Sequence, residues 1–190
     1  MAESKNNIIT HGLSGKVGDI IVFSQRGGKT IVSKAPKQRK GEPSEKQKAH
    51  TQKFQQAVIY GKSALADPTL KAIYESGANT DKSISAYNVA VADMLSAPKI
   101  EEINLSTYNG EIGDTITVRV TDDFQVVAVS ISIENADGTL VEKGNALPAP
   151  NGLDWIYTAT AKNSDLSGDK ITILASDTPD NMSEKMHTLE

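Results

Sequence analysis

The chain contains no cysteine, which excludes disulfide staples, thiolate nucleophiles and cysteine-based zinc or iron–sulfur centres. Histidine is scarce as well. His11, His50 and His187 fall in three separate segments and share no metal-ligand spacing; a zinc site needs several convergent ligands with supporting partners, so they are read as surface residues. With one Trp, three Phe and five Tyr, few rings are available to stack on nucleobases or sugars. No apolar run approaches the length of a membrane span, and the opening Met1-Ala2-Glu3-Ser4-Lys5-Asn6-Asn7 lacks the apolar segment of a secretory signal. No membrane partner is expected, and cytoplasmic residence is the default expectation.

What the chain does have is a strong asymmetry of charge. Residues 1–75 hold 13 Lys and Arg against 6 Asp and Glu, a net +7, whereas the rest holds 7 against 18, a net −11, so the formal −4 conceals a dipole. A length of 190 residues fits two small domains, and a charge difference of this size is a prior for two modules with different partners.

The first folded element reads as a β-hairpin. Ile20-Ile21-Val22-Phe23-Ser24 and Thr30-Ile31-Val32-Ser33 flank Gly27-Gly28, a pair that supplies the positive φ of a tight hairpin turn between β-branched strands. Two strands alone are marginal in water, so the hairpin is expected to pack on the helix that follows. After a connector broken by Pro36, Gly41 and Pro43, Ser44 stands three residues before Gln47, the signature of a capping box. From there Phe54, Ala57, Val58, Gly61, Ala64 and Leu65 recur at helical spacing. Asp67-Pro68 ends that helix and starts a second with Leu70, Ile73 and Tyr74 on its face; a third runs from about Ile84 to Leu95, before Pro98.

Beyond Ile100 the period changes to two. Ile116, Val118 and Val120, then Val127, Val129, Ile131 and Ile133, then Trp155, Tyr157 and Ala159, then Ile171 and Ile173 alternate with their neighbours, separated by Asn and Asp turn pairs. About seven short strands at regular turn spacing predict an antiparallel β-sandwich, with Trp155 as its expected core anchor. The fold class is therefore an α+β N-terminal module, a β-hairpin plus about three helices over residues 1–97, followed by an all-β sandwich over residues 98–190.

On Gly113-Asp114-Thr115-Ile116-Thr117-Val118, Asp154-Trp155-Ile156-Tyr157 and Ala175-Ser176-Asp177-Thr178-Pro179-Asp180-Asn181, the C-terminal half resembles a bacterial immunoglobulin-like or fibronectin-type module, without the antibody cysteines. The front half, through Gly12-Leu13-Ser14-Gly15-Lys16-Val17-Gly18 and Pro43-Ser44-Glu45-Lys46-Gln47, resembles a family of small bacterial proteins of uncharacterised function.

Few residues carry recognisable chemistry. Gly12 and Gly15 are too close for a phosphate-binding loop, Val17 replaces the required hydroxyl, and a strand follows where a helix is needed. No serine lies in a nucleophile-elbow motif. Asp122-Asp123, Asp137, Asp177, Asp180 and Asn181 are residues a calcium ion would use, yet turn propensity accounts for each, and neither a metal nor a cofactor is assigned.

The basic residues Arg26, Lys29, Lys34, Lys37, Arg39, Lys40, Lys46, Lys48 and Lys53 span hairpin, connector and helix start. Together they could neutralise several phosphates. The expectation is a non-enzymatic binding or assembly protein, with a protein partner or self-association, and nucleic-acid binding through the basic half as the alternative.

Overall fold

A computed structural model describes residues 2–4, 9–37 and 41–190, the first three by backbone alone. The N-terminal sheet contains β1 (Ala2–Ser4), β2 (Gly15–Val17), β3 (Ile21–Arg26) and β4 (Lys29–Lys34) in the antiparallel order β1-β4-β3-β2. Gly27 and Gly28 have φ of 55° and 73°, the left-handed pair of a two-residue hairpin turn. The hairpin is thus extended by a short strand on each side. Its side chains remain at best half-buried except for Thr30. The sequence expectation placed the following helix against the hairpin, but the hairpin's strand neighbours are β1 and β2, and its tip meets the loop between the second and third helices, where a Cβ on Gly27 would lie 3.0 Å from Ser83 Oγ.

Three helices follow: α1 (Glu45–Ala66), α2 (Pro68–Ser76) and α3 (Ala86–Leu95). The capping box forms as expected, the Gln47 amide donating to Ser44 Oγ and the Ser44 amide to Gln47 Oε1. Asp67 accepts from the amides of Thr69 and Leu70, and so caps α2 in the turn that closes α1. The helices enclose Ala64, Tyr74 and Ala90. Helix α1 crosses α3 at Gly61, where a Cβ would come within 2.8 Å of the Val91 side chain, so a larger residue there would force Val91 or the helix to shift.

The C-terminal half contains β5 (Lys99–Asn104), β6 (Thr115–Thr121), β7 (Val126–Glu134), β8 (Leu140–Asn145), β9 (Leu147–Pro148), β10 (Asp154–Thr158), β11 (Lys170–Asp177) and β12 (Met182–Thr188). They form two four-stranded antiparallel sheets, β5-β6-β10-β9 and β12-β11-β7-β8. One core joins the sheets: Ile116, Val118 and Val120 from the first meet Val129, Ile131, Ile133, Ile171, Ile173 and Ala175 from the second. Each run alternates buried with less buried residues because successive strand side chains point to opposite faces. The chain is accordingly α+β with a β-rich C-terminal half.

Trp155 differs from its expected place. It is half-buried at the edge of the core, and Tyr157 is the enclosed aromatic of β10. Trp155 pairs with Pro148 of the two-residue β9, where the sheet ends and no further strand can cover the ring.

Candidate functional site

The basic residues named above are spread along the N-terminal half. Arg26 and Lys29 face each other beside the hairpin turn, while Lys34 pairs with Ile21 at the opposite end of β4, about 17 Å away at strand spacing. Lys37 is exposed in the connector; Arg39 and Lys40 lie outside the described residues. Lys46 and Lys48 begin α1, Lys48 pairing with Glu45 at 2.9 Å. Lys53 donates to the Leu95 carbonyl at 2.8 Å, where a cation complements the negative end of α3. Two of these lysines therefore serve local or helix-end contacts.

The sheet itself is two-faced. Cross-strand partners share a face, so the registers Val17↔Ile21, Ile21↔Lys34, Gly15↔Phe23 and Phe23↔Val32 gather Val17, Ile21, Phe23 and Val32 on one side, with Lys34 beside Ile21 at one end. The other side carries Lys16, Arg26 and Lys29 with Val22 and Ile31. On the apolar side, Gln25 Nε2 ties Thr30 Oγ1 to the Leu13 carbonyl, holding the preceding loop over one end. The other end is open, with Val17 59% and the adjoining Ile20 71% exposed.

In the sandwich, Glu142 is buried beneath β10. Its Oε2 accepts from the Tyr157 hydroxyl, the Thr160 hydroxyl and amide, and the Ala161 amide. Burial raises this carboxyl, but the donations of Thr160, Tyr157 and Ala161 together outweigh it and hold the group below its ordinary value. Trp155 and Phe124 line an open groove of about 590 Å³ with Val120, Val126 and Leu153.

The densest chemistry lies where the halves meet. Asp93 is on the last turn of α3, Asp122 in the turn after β6 and Asp177 at the end of β11. One oxygen from each lies within 4.8 Å of the others. The Asp177 turn is built by Asp180, at φ 65°, and by Asn181, whose amide donates to Asp177 Oδ1 at 2.7 Å. The Asn181 side-chain nitrogen bridges Asp177 Oδ2 to the carbonyls of Asp93 and Ser96. On the helical side, the Tyr74 hydroxyl donates to Asp93 Oδ2 at 2.7 Å. Since that uses its proton, Tyr60 donates in turn to Tyr74 at 2.8 Å.

Electrostatically the cluster is uncompensated. Asp93 is fully buried and Asp177 is 2% exposed, and none of the three pairs with a described lysine or arginine. Two unit charges at 4.8 Å repel by roughly 3.5 kcal/mol at an effective dielectric constant near 20. Burial, reinforced by the charges of Asp177, Asp122 and Asp123 and opposed by the Tyr74 hydrogen bond, pushes Asp93 up to about 6. Burial also raises Asp177, against the hydrogen bonds from Asn181. Asp122, Asp177, Asp180 and Asn181 were visible as turn residues in sequence. Asp93 was missed, because an aspartate within a helical pattern reads as a solvated position.

No family model and no curated protein matches the chain. Among solved structures, the chain is similar to the crystal structure of an engineered protein, at 16% identity over 64% of this chain and 27% of that one, with a TM-score of 0.35. No helix among the described residues is long and apolar enough to cross a membrane.

Proposed function

We propose that this is a non-enzymatic binding and assembly protein that self-associates through its N-terminal sheet. The carrying observation is that Val17, Ile21, Phe23 and Val32 share a face whose end is exposed at Val17 and the adjoining Ile20, beside Lys34. A sheet with one apolar side is stable when a second layer covers it, and a second copy offers the same face in return, as in the symmetric interfaces that dominate homo-oligomers. The basic reverse side is then left facing outward. The immunoglobulin-like resemblance of the other half supports a binding role by analogy of fold. The strand orders β5-β6-β10-β9 and β12-β11-β7-β8 support that resemblance, since they match A-B-E-D and G-F-C-C′ when the strands are lettered in chain order with β8 as the added strand.

Sedimentation velocity on the intact chain tests this reading. A dimer that dissociates in Val17→Asp and Ile20→Asp, with unchanged circular dichroism, is expected. A monomer throughout, up to about 100 μM, well above the ~1 μM Kd of a contact worth 8 kcal/mol, would reject it.

The alternative is nucleic-acid binding by the reverse side, favoured by the placement of Arg26 beside Lys29. It requires salt-dependent binding of mixed-sequence duplex DNA, weakened by Arg26→Gln and indifferent to Val17→Asp.

A further inference from the structure

We propose that Asp93, Asp122 and Asp177 form a divalent-cation site, suited to calcium, and that the bound ion fastens α3 to the turns of the β-rich half. The proximity of the three carboxylates does not carry this alone. Asp93 is completely enclosed and its Oδ1 has no hydrogen-bond partner; both oxygens of Asp122 are likewise buried and unpartnered. Buried acceptors are nearly always satisfied, so three orphan oxygens in one cluster call for a ligand that accepts their lone pairs. A single proton shared between Asp93 and Asp122 would pair two of them and leave the third.

The surroundings favour a cation as that ligand. Asn181 directs its side-chain nitrogen to Asp177 Oδ2 and to the carbonyls of Asp93 and Ser96, fixing two walls of the cluster without reaching the orphan oxygens. Tyr74 fixes Asp93 by its other oxygen, Oδ2. Both contacts orient ligands as outer-shell partners do in metal sites. Asp93 also lies in the last turn of α3, where a carboxylate is disfavoured by the helix dipole, although Lys53 already meets the Leu95 carbonyl at that end. A pocket of about 200 Å³ lined by Ser96, Lys99, Thr121, Asp122 and Asp123 reaches Asp122 from outside the cluster.

Donor type narrows the ion. The cluster offers carboxylates, with no histidine or thiolate, and hard oxygen donors suit calcium or magnesium. Calcium accepts irregular sets of six to eight oxygens completed by water, whereas magnesium demands a near-ideal octahedron. Carboxylates drawn from a helix end and two separate turns meet the looser requirement. They also make the ion a cross-link, because its ligands belong to both halves of the chain.

The test uses the intact chain, freed of metal by chelation and titrated with calcium chloride by calorimetry, with thermal unfolding recorded alongside. Expected are one calcium per chain, a higher Tm in calcium than in chelator, and terbium luminescence sensitised by Tyr74, the phenol bonded to Asp93. Asp122→Asn should weaken calcium at least tenfold, roughly the least that loss of an outer-shell partner costs. In chelator the same variant should unfold no lower than the parent, since one of three like charges is removed. Asp137→Asn, in an exposed turn of another hairpin, should change neither reading. Absence of both binding heat and Tm shift up to about 10 mM calcium, beyond the range of the weak extracellular modules, would overturn the site whether or not Asp122→Asn folds. Magnesium binding as tightly as calcium would overturn the choice of ion.

Discussion

Phe124, from the turn after β6, stacks on Tyr74 of α2 with ring centroids 5.2 Å apart and planes 30° apart. The helical core of Ala64, Tyr74 and Ala90 is therefore completed by a residue from the β-rich half. Gly77 permits the contact, since a Cβ there would stand 2.7 Å from the Phe124 ring. Ser96 Oγ donates to Asp123 at 2.6 Å and Ser183 to the Pro98 carbonyl, binding the linker to the same surface. Sequence periodicity marks a change of structure near Pro98, and the packing couples what lies on either side of it.

Phe124→Ala should therefore destabilise the helices although it alters no helical residue. Full truncation of a buried Phe costs roughly 3–5 kcal/mol, and a half-buried ring about 2 kcal/mol. For a chain of this size that is a fall in Tm of roughly 4–8 °C. Circular dichroism at the helical wavelength checks it. An unchanged helical transition would mean that the stacking carries no energy.

What could be read in advance was what depends on near neighbours. The Ser44 and Gln47 cap, the Gly27-Gly28 turn and the alternation of Ile116, Val118 and Val120 each follow from spacing of a few residues, and each forms. β1 and β2 are three-residue strands, too short for a period, and their pairing depends on the hairpin they flank. The depth of Trp155 depended on where β9 ends. Likewise Asp122 and Asp177 were recognisable as turn acids, but their convergence on Asp93 spans 29 and 84 positions of sequence and exists only once the halves dock.

Glu142 supplies a dependence on acid. Because its carboxyl is held below its ordinary value of 4.5, the folded state binds its proton less readily than the unfolded chain does. Its contribution is complete above that ordinary value and is lost as pH falls through the lower folded-state value. Urea midpoints measured from pH 7 down to pH 3 should decline on this limb, and Glu142→Gln should flatten it. A limb equally steep in Glu142→Gln would assign the loss to other acids. Tyr157→Phe should cost about 1 kcal/mol, since Glu142 keeps its donors at Thr160 and Ala161 when the phenol is removed.

The last expectation concerns independence. The sandwich core draws its buried members from positions 108 to 175, all within the β-rich half, so residues 99–190 expressed alone should unfold in one cooperative transition with β-type circular dichroism. The reciprocal fragment, residues 1–97, lacks Phe124 and leaves Tyr74 uncovered at the open end of a core that already has few buried members. Cores so small rarely sustain a fold unaided. Its helices should melt well below those of the intact chain, and mixing it with the 99–190 fragment should restore part of the difference as the Tyr74–Phe124 contact re-forms. A random-coil amide spectrum for residues 99–190, under conditions where the whole chain is folded, would show that the dependence runs both ways and that the two halves form one cooperative unit.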